Sequence, residues 1–251
     1  MHREKYDGTH EDEMWRSDDL YAEGNYEEAL AALQKAEGPE DLSFDHLFRK
    51  ATALRKLGRY EEAGQALEKA LELESNNVEA LRAHALVCCQ MDRPADAVSS
   101  CEKAITIEPN NARVWIVRGY CLHCMGQYEK AVESYARAIE LNPQGADGRR
   151  AWNNRGAALD NLRRHEEAIE SYDEALMIDP FDIYAWNNKG VALGVLSRHE
   201  EATRCFLKAI EIEPEYATAW KNLAVAYRAL NRDVQADEAL SKARELGLSE
   251  Y

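Results

Sequence analysis

Residues 185–190 read Ala-Trp-Asn-Asn-Lys-Gly, and 34 positions later residues 219–224 read Ala-Trp-Lys-Asn-Leu-Ala. Trp152 stands another 34 positions upstream of Trp186. Alanines recur 16 and 23 residues after each of these tryptophans and after Trp220. A repeated unit of this length cannot bury a hydrophobic core by itself, so each copy must stack on its neighbours.

The 34-residue period divides the chain into seven units, whose bounds are 10–43, 44–77, 78–111, 112–145, 149–182, 183–216 and 217–250. The step from Trp115 to Trp152 is 37 residues, so residues 146–148 are an insertion, and we expect a surface loop there, with a local bend or hinge at Gly145 and Gly148 as the alternative. Unit one has Glu13 and Ser17 where later units have Trp and Gly, which is typical of a polar cap. The predicted organisation is therefore a polar tail at 1–9, units one to four at 10–145, the insertion, and units five to seven at 149–251.

Apolar residues within each unit are spaced as on amphipathic helices. In unit six, spacings of three, four and seven residues predict two helices, with a break near Ser197-Arg198 and an end at Pro214. Small residues at fixed positions, such as Ala202 and Gly190, would let paired helices approach closely. The chain therefore reads as a series of helical hairpins.

This pattern resembles the tetratricopeptide repeat family, whose units place Trp and Gly in the first helix and Ala, an aromatic residue, Ala and Pro in the second. Unit six matches with Trp186, Gly190, Ala202, Phe206, Ala209 and Pro214. The resemblance covers residues 10–250 and implies an all-α fold, a right-handed α-solenoid of seven helix-turn-helix repeats with fourteen helices. Just before the Gly the family usually has Leu, whereas this chain has Lys50, His84, Arg118, Arg155 and Lys189. We interpret these residues as ion-pair partners of Glu residues on the adjacent second helix; a basic recognition ridge is the alternative.

The resemblance also implies a concave groove, lined by the first helices, that binds a peptide or protein segment. Asn154, Asn188 and Asn222 share the sixth position of three successive units, and Asn153 and Asn187 precede two of them. Because an amide both donates and accepts, such a ladder can hydrogen-bond an extended peptide backbone. The repeat region of O-linked N-acetylglucosamine transferases looks similar. The alternative is that these amides cap or solvate the repeats.

The net charge of the chain is −15, but the groove positions implied by the resemblance carry eight cations and five acids. This separation favours an acidic ligand segment and disfavours nucleic acid. The candidate peptide-binding residues are Asn153, Asn154, Asn187, Asn188, Lys221, Asn222, Arg228, Arg82, Arg113 and Arg150. A clamp for the acidic tail of heat-shock chaperones, another mode of the family, is incomplete because Leu86 and Val117 stand where Asn is expected.

Motifs for other chemistries are missing from the sequence. It holds no GxxxxGK[ST], GxGxxG, GxSxG or HExxH, and we expect no catalytic residue and no cofactor. Cys121 and Cys124 form a CxxC, with Cys88-Cys89 one unit earlier, but zinc sites place such pairs on turns, so we expect no metal. Without an apolar run of about 18 residues or a signal peptide, we expect a cytoplasmic protein with reduced thiols and no membrane contact.

The sequence therefore predicts a non-enzymatic scaffold that holds a protein segment in its groove. The alternative is a structural module that self-assembles into a homodimer or filament. It rests on the last predicted helix, Val234 to Leu246, which no further helix covers.

Overall fold

A computed structural model describes residues 10–36 and 43–247, so the predicted tail at 1–9 lies outside the described residues. The described residues form fourteen helices and no strand, which confirms the all-α prediction. The helices are α1 (His10–Ala22), α2 (Tyr26–Ala36), α3 (Phe44–Lys56), α4 (Tyr60–Leu73), α5 (Val78–Gln90), α6 (Pro94–Ile107), α7 (Ala112–Cys124), α8 (Tyr128–Leu141), α9 (Gly145–Asn161), α10 (His165–Ile178), α11 (Ile183–Val195), α12 (His199–Ile212), α13 (Ala217–Ala229) and α14 (Asp233–Glu245).

The helices divide between two compact units, each larger than a 34-residue repeat, and these two are called the first unit and the second unit of the structure. The first unit ends at Cys124 and contains α1 to α7, and the second begins at Met125 and contains α8 to α14. Within each unit, every helix packs against the next one along the chain, and neighbouring first helices such as α11 and α13 also meet. No helix of the described residues combines the length and the apolarity needed to cross a bilayer.

A residue with a positive φ closes the first helix of each hairpin. Glycine supplies it at Gly24, Gly58 and Gly126, with φ between 70° and 83°. Later hairpins, and the one after α5, use other residues in the same left-handed conformation, with φ between 57° and 61°: Asp92, Arg163, Ser197 and Asn231. The break predicted near Ser197 is therefore confirmed, and its geometry is one that glycine adopts at lower cost.

Replacing Ser197 by Gly is expected to raise the free energy of unfolding by about 0.5–1 kcal/mol, because the left-handed conformation strains a residue with a Cβ. Ser197 is exposed and has φ 61°, so the change removes no packing. Urea denaturation followed by circular dichroism measures the effect. The matched reverse change is Gly58→Ser, where a new Cβ meets nothing within 4 Å. A loss of stability in Ser197→Gly, or a gain in Gly58→Ser, would contradict this account.

Alanine at the two repeated positions of the second helices fills the closest contacts between helices. In the last six units these alanines are at most 1% exposed: Ala63, Ala70, Ala97, Ala104, Ala131, Ala138, Ala168, Ala175, Ala202, Ala209, Ala236 and Ala243. Glycines of the first helices also allow close contact between helices. A Cβ added at Gly156 would lie 2.5 Å from the Tyr172 ring, and one at Gly190 would lie 2.5 Å from the Phe206 ring. Small residues at these positions are therefore a requirement of packing volume.

Lys189 and Arg118, two of the residues that precede a first-helix glycine, contact the second helix of the preceding repeat. Lys189 forms an ion pair with Asp173, and Arg118 Nη2 lies 3.6 Å from Glu102 Oε1. Arg155 instead donates to Ser171 Oγ at 2.8 Å on its own hairpin. The prediction of an ion pair with a Glu residue of the adjacent second helix is thus confirmed for Arg118, whereas Lys189 pairs with an aspartate at the corresponding place.

The insertion at 146–148 is helical, so the expectation of a loop was wrong. It forms part of the first turn of α9, which starts at Gly145 and is 17 residues long. Gly148 is buried against the preceding chain, since a Cβ there would lie 2.6 Å from the backbone of Pro143. Asp147 stands in the first turn, where a carboxylate favours the helix dipole. The extra residues therefore lengthen a helix.

The last helix, α14, turns its apolar residues inward. Ala236, Ala239 and Ala243 are buried, and Leu240 packs against the same core. Among its described residues Val234 is the large apolar side chain that is well exposed, at 74%. The apolar face of α14 is therefore narrow, and self-assembly through this helix stays a prediction.

Candidate functional site

The five predicted asparagines lie on the first helices of the second compact unit, α9, α11 and α13, and four of them form two staggered pairs. Asn188 Nδ2 donates to Asn153 Oδ1 at 3.4 Å, and Asn222 Nδ2 donates to Asn187 Oδ1 at 2.9 Å. The sixth residue of one repeat therefore bonds to the fifth residue of the repeat before it. These bonds link each first helix to the next.

The pairs divide the predicted amides into two kinds. Asn187 is 5% exposed and serves as an acceptor within the protein, so it belongs to the contact between helices. Asn188 and Asn222 are half-buried, and within the described part of the chain their Oδ1 atoms accept no hydrogen bond. Asn154, also half-buried, makes no side-chain bond to any described residue. Asn187 therefore joins two helices and neither caps nor solvates a repeat, while Asn154, Asn188 and Asn222 have polar atoms without a partner among the described residues.

An apolar cleft of about 300 Å³ lies beside Asn222, between α11 and α13. Three valines on these helices are exposed by 42%, 55% and 63%, namely Val191, Val195 and Val225. The other lining residues are Gly190, Gly194, His199, Phe206, Asn222 and Ala226. Sequence reasoning missed the valines because it considered only charged and amide side chains at the groove positions. The ninth and thirteenth residues of each repeat are among those positions; Val191 and Val225 are ninth residues, and Val195 is a thirteenth residue.

Positive charge predominates around the first helices of the second unit. Arg150 and Lys221 are exposed and form no ion pair within the described residues. Arg228 Nη2 lies 3.2 Å from Asp237 Oδ1, but both side chains are more than half exposed, so this pair is weak. The groove acid Asp160 has both oxygens engaged, accepting from the Tyr172 hydroxyl and from His165 Nδ1, each at 2.8 Å. Burial and the Asp160 carboxylate raise the pKa of Tyr172, which keeps its proton in this bond.

Two predicted residues, Arg82 and Arg113, belong to the first compact unit, whereas the predicted amides belong to the second. Arg82 donates through Nε and Nη2 to Glu79 of its own helix, at 3.0 and 2.6 Å. Arg113 is exposed near the start of α7. Because Arg82 already pairs with Glu79, its charge is less available to an acidic ligand. The second unit therefore holds the candidate site.

All six cysteines are free thiols, and two of them, Cys88 and Cys205, are buried in surroundings that disfavour the thiolate. Burial raises the pKa of Cys88 and of Cys205 to about 11 each. Within the described ranges, no group of three or more His, Cys, Asp or Glu residues is placed to hold a metal ion. A thiol with a raised pKa is mostly protonated at neutral pH and is a weak nucleophile.

Comparisons with known proteins agree with this architecture. Four family profiles described as tetratricopeptide repeat match residues 112–144, 150–182 and 183–216, then 16–78, 54–115 and 205–240. The crystal structure of MamA is 29% identical over 66% of this chain and 96% of MamA, with a TM-score of 0.57. A search of curated proteins gave no significant match.

Two further solved structures share the fold at lower identity. A tetratricopeptide repeat protein from Parabacteroides merdae is 17% identical over 96% of this chain and 94% of its own, with a TM-score of 0.75. YrrB, described as a repeat protein with an unusual peptide-binding site, is 20% identical over 73% of this chain and 93% of its own, with a TM-score of 0.57. Both similarities concern the fold.

Proposed function

The chain belongs to the tetratricopeptide repeat family, and from this premise we propose that it is a scaffold whose second unit binds an extended protein segment. The binding surface consists of the amides of Asn188 and Asn222, the valine cleft between α11 and α13, and the cations nearby. The juxtaposition of an apolar cleft with half-buried amides that lack internal acceptor bonds carries the proposal.

The amides suit the backbone of the ligand. An extended peptide presents N–H and C=O groups that find no partner within its own chain. Asn188 and Asn222 offer carbonyl oxygens to such N–H groups, and their remaining N–H atoms can donate to carbonyls. The bonds to Asn153 and Asn187 hold the two amides in place before the ligand arrives, which reduces the entropy lost on binding.

The valine cleft suits one aliphatic side chain of the ligand. Val191, Val195 and Val225 expose apolar surface that a Leu or Ile side chain would cover. Full burial of such a side chain contributes about 1.5–3 kcal/mol. Recognition would then combine backbone hydrogen bonds, which do not depend on sequence, with one apolar anchor that does.

The nearby cations favour an acidic residue next to that anchor. Lys221 stands four residues before Val225 and Arg228 three residues after it, which places both cations on the same stretch of α13 as the cleft. Because the rest of the chain is strongly acidic, this local charge would guide an acidic segment toward the cleft. The proposed ligand is therefore an extended segment with an aliphatic residue and an acid close to it.

A displayed library of random peptides tests this proposal. We expect the folded chain to select peptides with an aliphatic anchor and a nearby acid. We expect Asn188→Ala to lower the affinity for a selected peptide about 3- to 10-fold, because one or two hydrogen bonds to the peptide backbone are lost. Isothermal titration calorimetry measures the change. Asn222 is less suitable as a probe, since its removal would leave the buried Asn187 oxygen without its donor.

The matched control is Gln235→Ala, which removes an exposed amide from α14, away from the cleft. Its affinity for the selected peptide should equal that of the unaltered chain. Selected peptides that bind Asn188→Ala and the unaltered chain equally would refute the role of the amides. Selection of no peptide would refute the proposed groove as a whole.

A further inference from the structure

Two thiols on neighbouring first helices of the first unit lie unusually close together. Cys89 on α5 and Cys121 on α7 have their Sγ atoms 2.7 Å apart. A covalent S–S bond is about 2.05 Å long and forms only where the two side chains converge. The sulfurs therefore need to move by less than an ångström to bond, and the helices already hold them in position.

The two thiols also differ in their access to solvent. Cys89 is half-buried, at the twelfth position of its repeat, while Cys121 is fully buried behind it. The exposed Cys124 follows one turn later on α7. A small reagent can thus reach the Cys89 sulfur first. The Cys121 sulfur, which contacts the Cys89 sulfur, can react with it in a second step.

We propose that Cys89 and Cys121 are a site of reversible oxidation, at which a low-molecular-weight disulfide converts the two thiols into a bond that ties α5 to α7. The Cys89 thiol loses its proton and attacks one sulfur of the small disulfide, whose S–S bond breaks and releases one small thiol. The Cys121 thiol then loses its proton and attacks the Cys89 sulfur, which releases the second small thiol. Two protein thiols are oxidised and one disulfide is reduced to two thiols.

The surroundings make this reaction slow and selective. The hydrogen bond with Cys121, then burial, raise the pKa of Cys89 above the usual range of a thiol. The pKa of Cys121 is raised as well, first through its hydrogen bond with Cys101. Both thiols are therefore mostly protonated at neutral pH, which slows the first attack on the small disulfide.

Peptide mapping of the oxidised chain tests the proposal. The full folded chain is incubated with excess oxidised glutathione, free thiols are blocked, and trypsin is added. Cleavage after Lys and Arg gives residues 83–103, with Arg93-Pro94 intact, and residues 119–130. We expect these two peptides to be joined, with a mass about 2 Da below their sum because two hydrogen atoms are lost. Fragmentation should place the bond between Cys89 and Cys121, and dithiothreitol should separate the peptides.

Single serine variants assign the bond independently. Cys89→Ser and Cys121→Ser should each abolish the joined peptides, whereas Cys88→Ser and Cys124→Ser should retain them. Circular dichroism before oxidation shows whether each variant is folded, and the fragmentation of the unaltered chain decides the assignment even if one is not. Unjoined peptides from the unaltered chain, a bond placed at Cys88, Cys101 or Cys124, or a link that survives dithiothreitol would overturn the proposal.

Discussion

Replacing Asp182 by Ala is expected to lower the free energy of unfolding by about 2–4 kcal/mol, the largest loss that we expect from one polar side chain in this chain. Asp182 is only 4% exposed and precedes α11. Its Oδ1 accepts from the backbone N–H groups of Tyr184 and Ala185, each at 3.0 Å. Its Oδ2 forms an ion pair with Arg149 of α9. The variant therefore loses a helix cap and leaves the Arg149 guanidinium, which is 26% exposed, without this partner.

Two further variants separate these contributions. Asn77 caps α5 by accepting from the N–H of Ala80 at 3.1 Å, and its amide also donates to the exposed Glu74 carboxylate at 2.9 Å, so Asn77→Ala reports the cost of a cap and one exposed hydrogen bond without a buried ion pair, about 1 kcal/mol. Asp182→Asn keeps a capping oxygen but removes the charge opposite Arg149, and we expect an intermediate loss. Urea denaturation followed by circular dichroism ranks the three. Asp182→Ala no more costly than Asn77→Ala would mean that the ion pair contributes nothing to stability.

The repeat, its helices and its buried alanines could be predicted from the sequence because they express one constraint, the volume between paired helices. That constraint recurs every 34 residues, so each copy repeats the information, and the burial of Ala168 and Ala202 follows from it. The insertion breaks the period and offers one copy only. Gly148 lies close to the Pro143 backbone, where a Cβ would not fit, and a single copy gave no repeated pattern from which this helical form could be predicted.

The candidate site shows the same division between local and tertiary information. The asparagines could be found in the sequence, but their pairing could not. It depends on how far one helix is shifted along the next, which sets Asn153, the fifth residue of its repeat, opposite Asn188, the sixth residue of the next repeat. The same helix register brings Cys89 against Cys121. The valines could have been found, because Val191 and Val225 share the ninth position, had apolar residues been weighed alongside charged ones at that position.

The second large effect concerns the valine cleft. Val225→Asp is expected to lower the affinity for a selected peptide by at least tenfold, which is about 1.4 kcal/mol or more of binding free energy. Val225 lies on α13 at the cleft and is 63% exposed, so the unliganded fold loses little apolar burial. A carboxylate at this position would be desolvated by an aliphatic ligand side chain, and it would offset the charge of Lys221 and Arg228 on the same helix. Both effects oppose an acidic, aliphatic ligand and none opposes folding.

The chain offers a matched control in Val234, which is 74% exposed in the first turn of α14 and lies outside the cleft. Val234→Asp introduces the same group at a similar exposure, and an acid in a first turn favours the helix dipole, so this variant should bind the peptide as the unaltered chain does. Calorimetric titration of both variants with one selected peptide compares them directly. If Val225→Asp bound as tightly as Val234→Asp, the aliphatic anchor would lie elsewhere, and the amides alone would have to account for recognition.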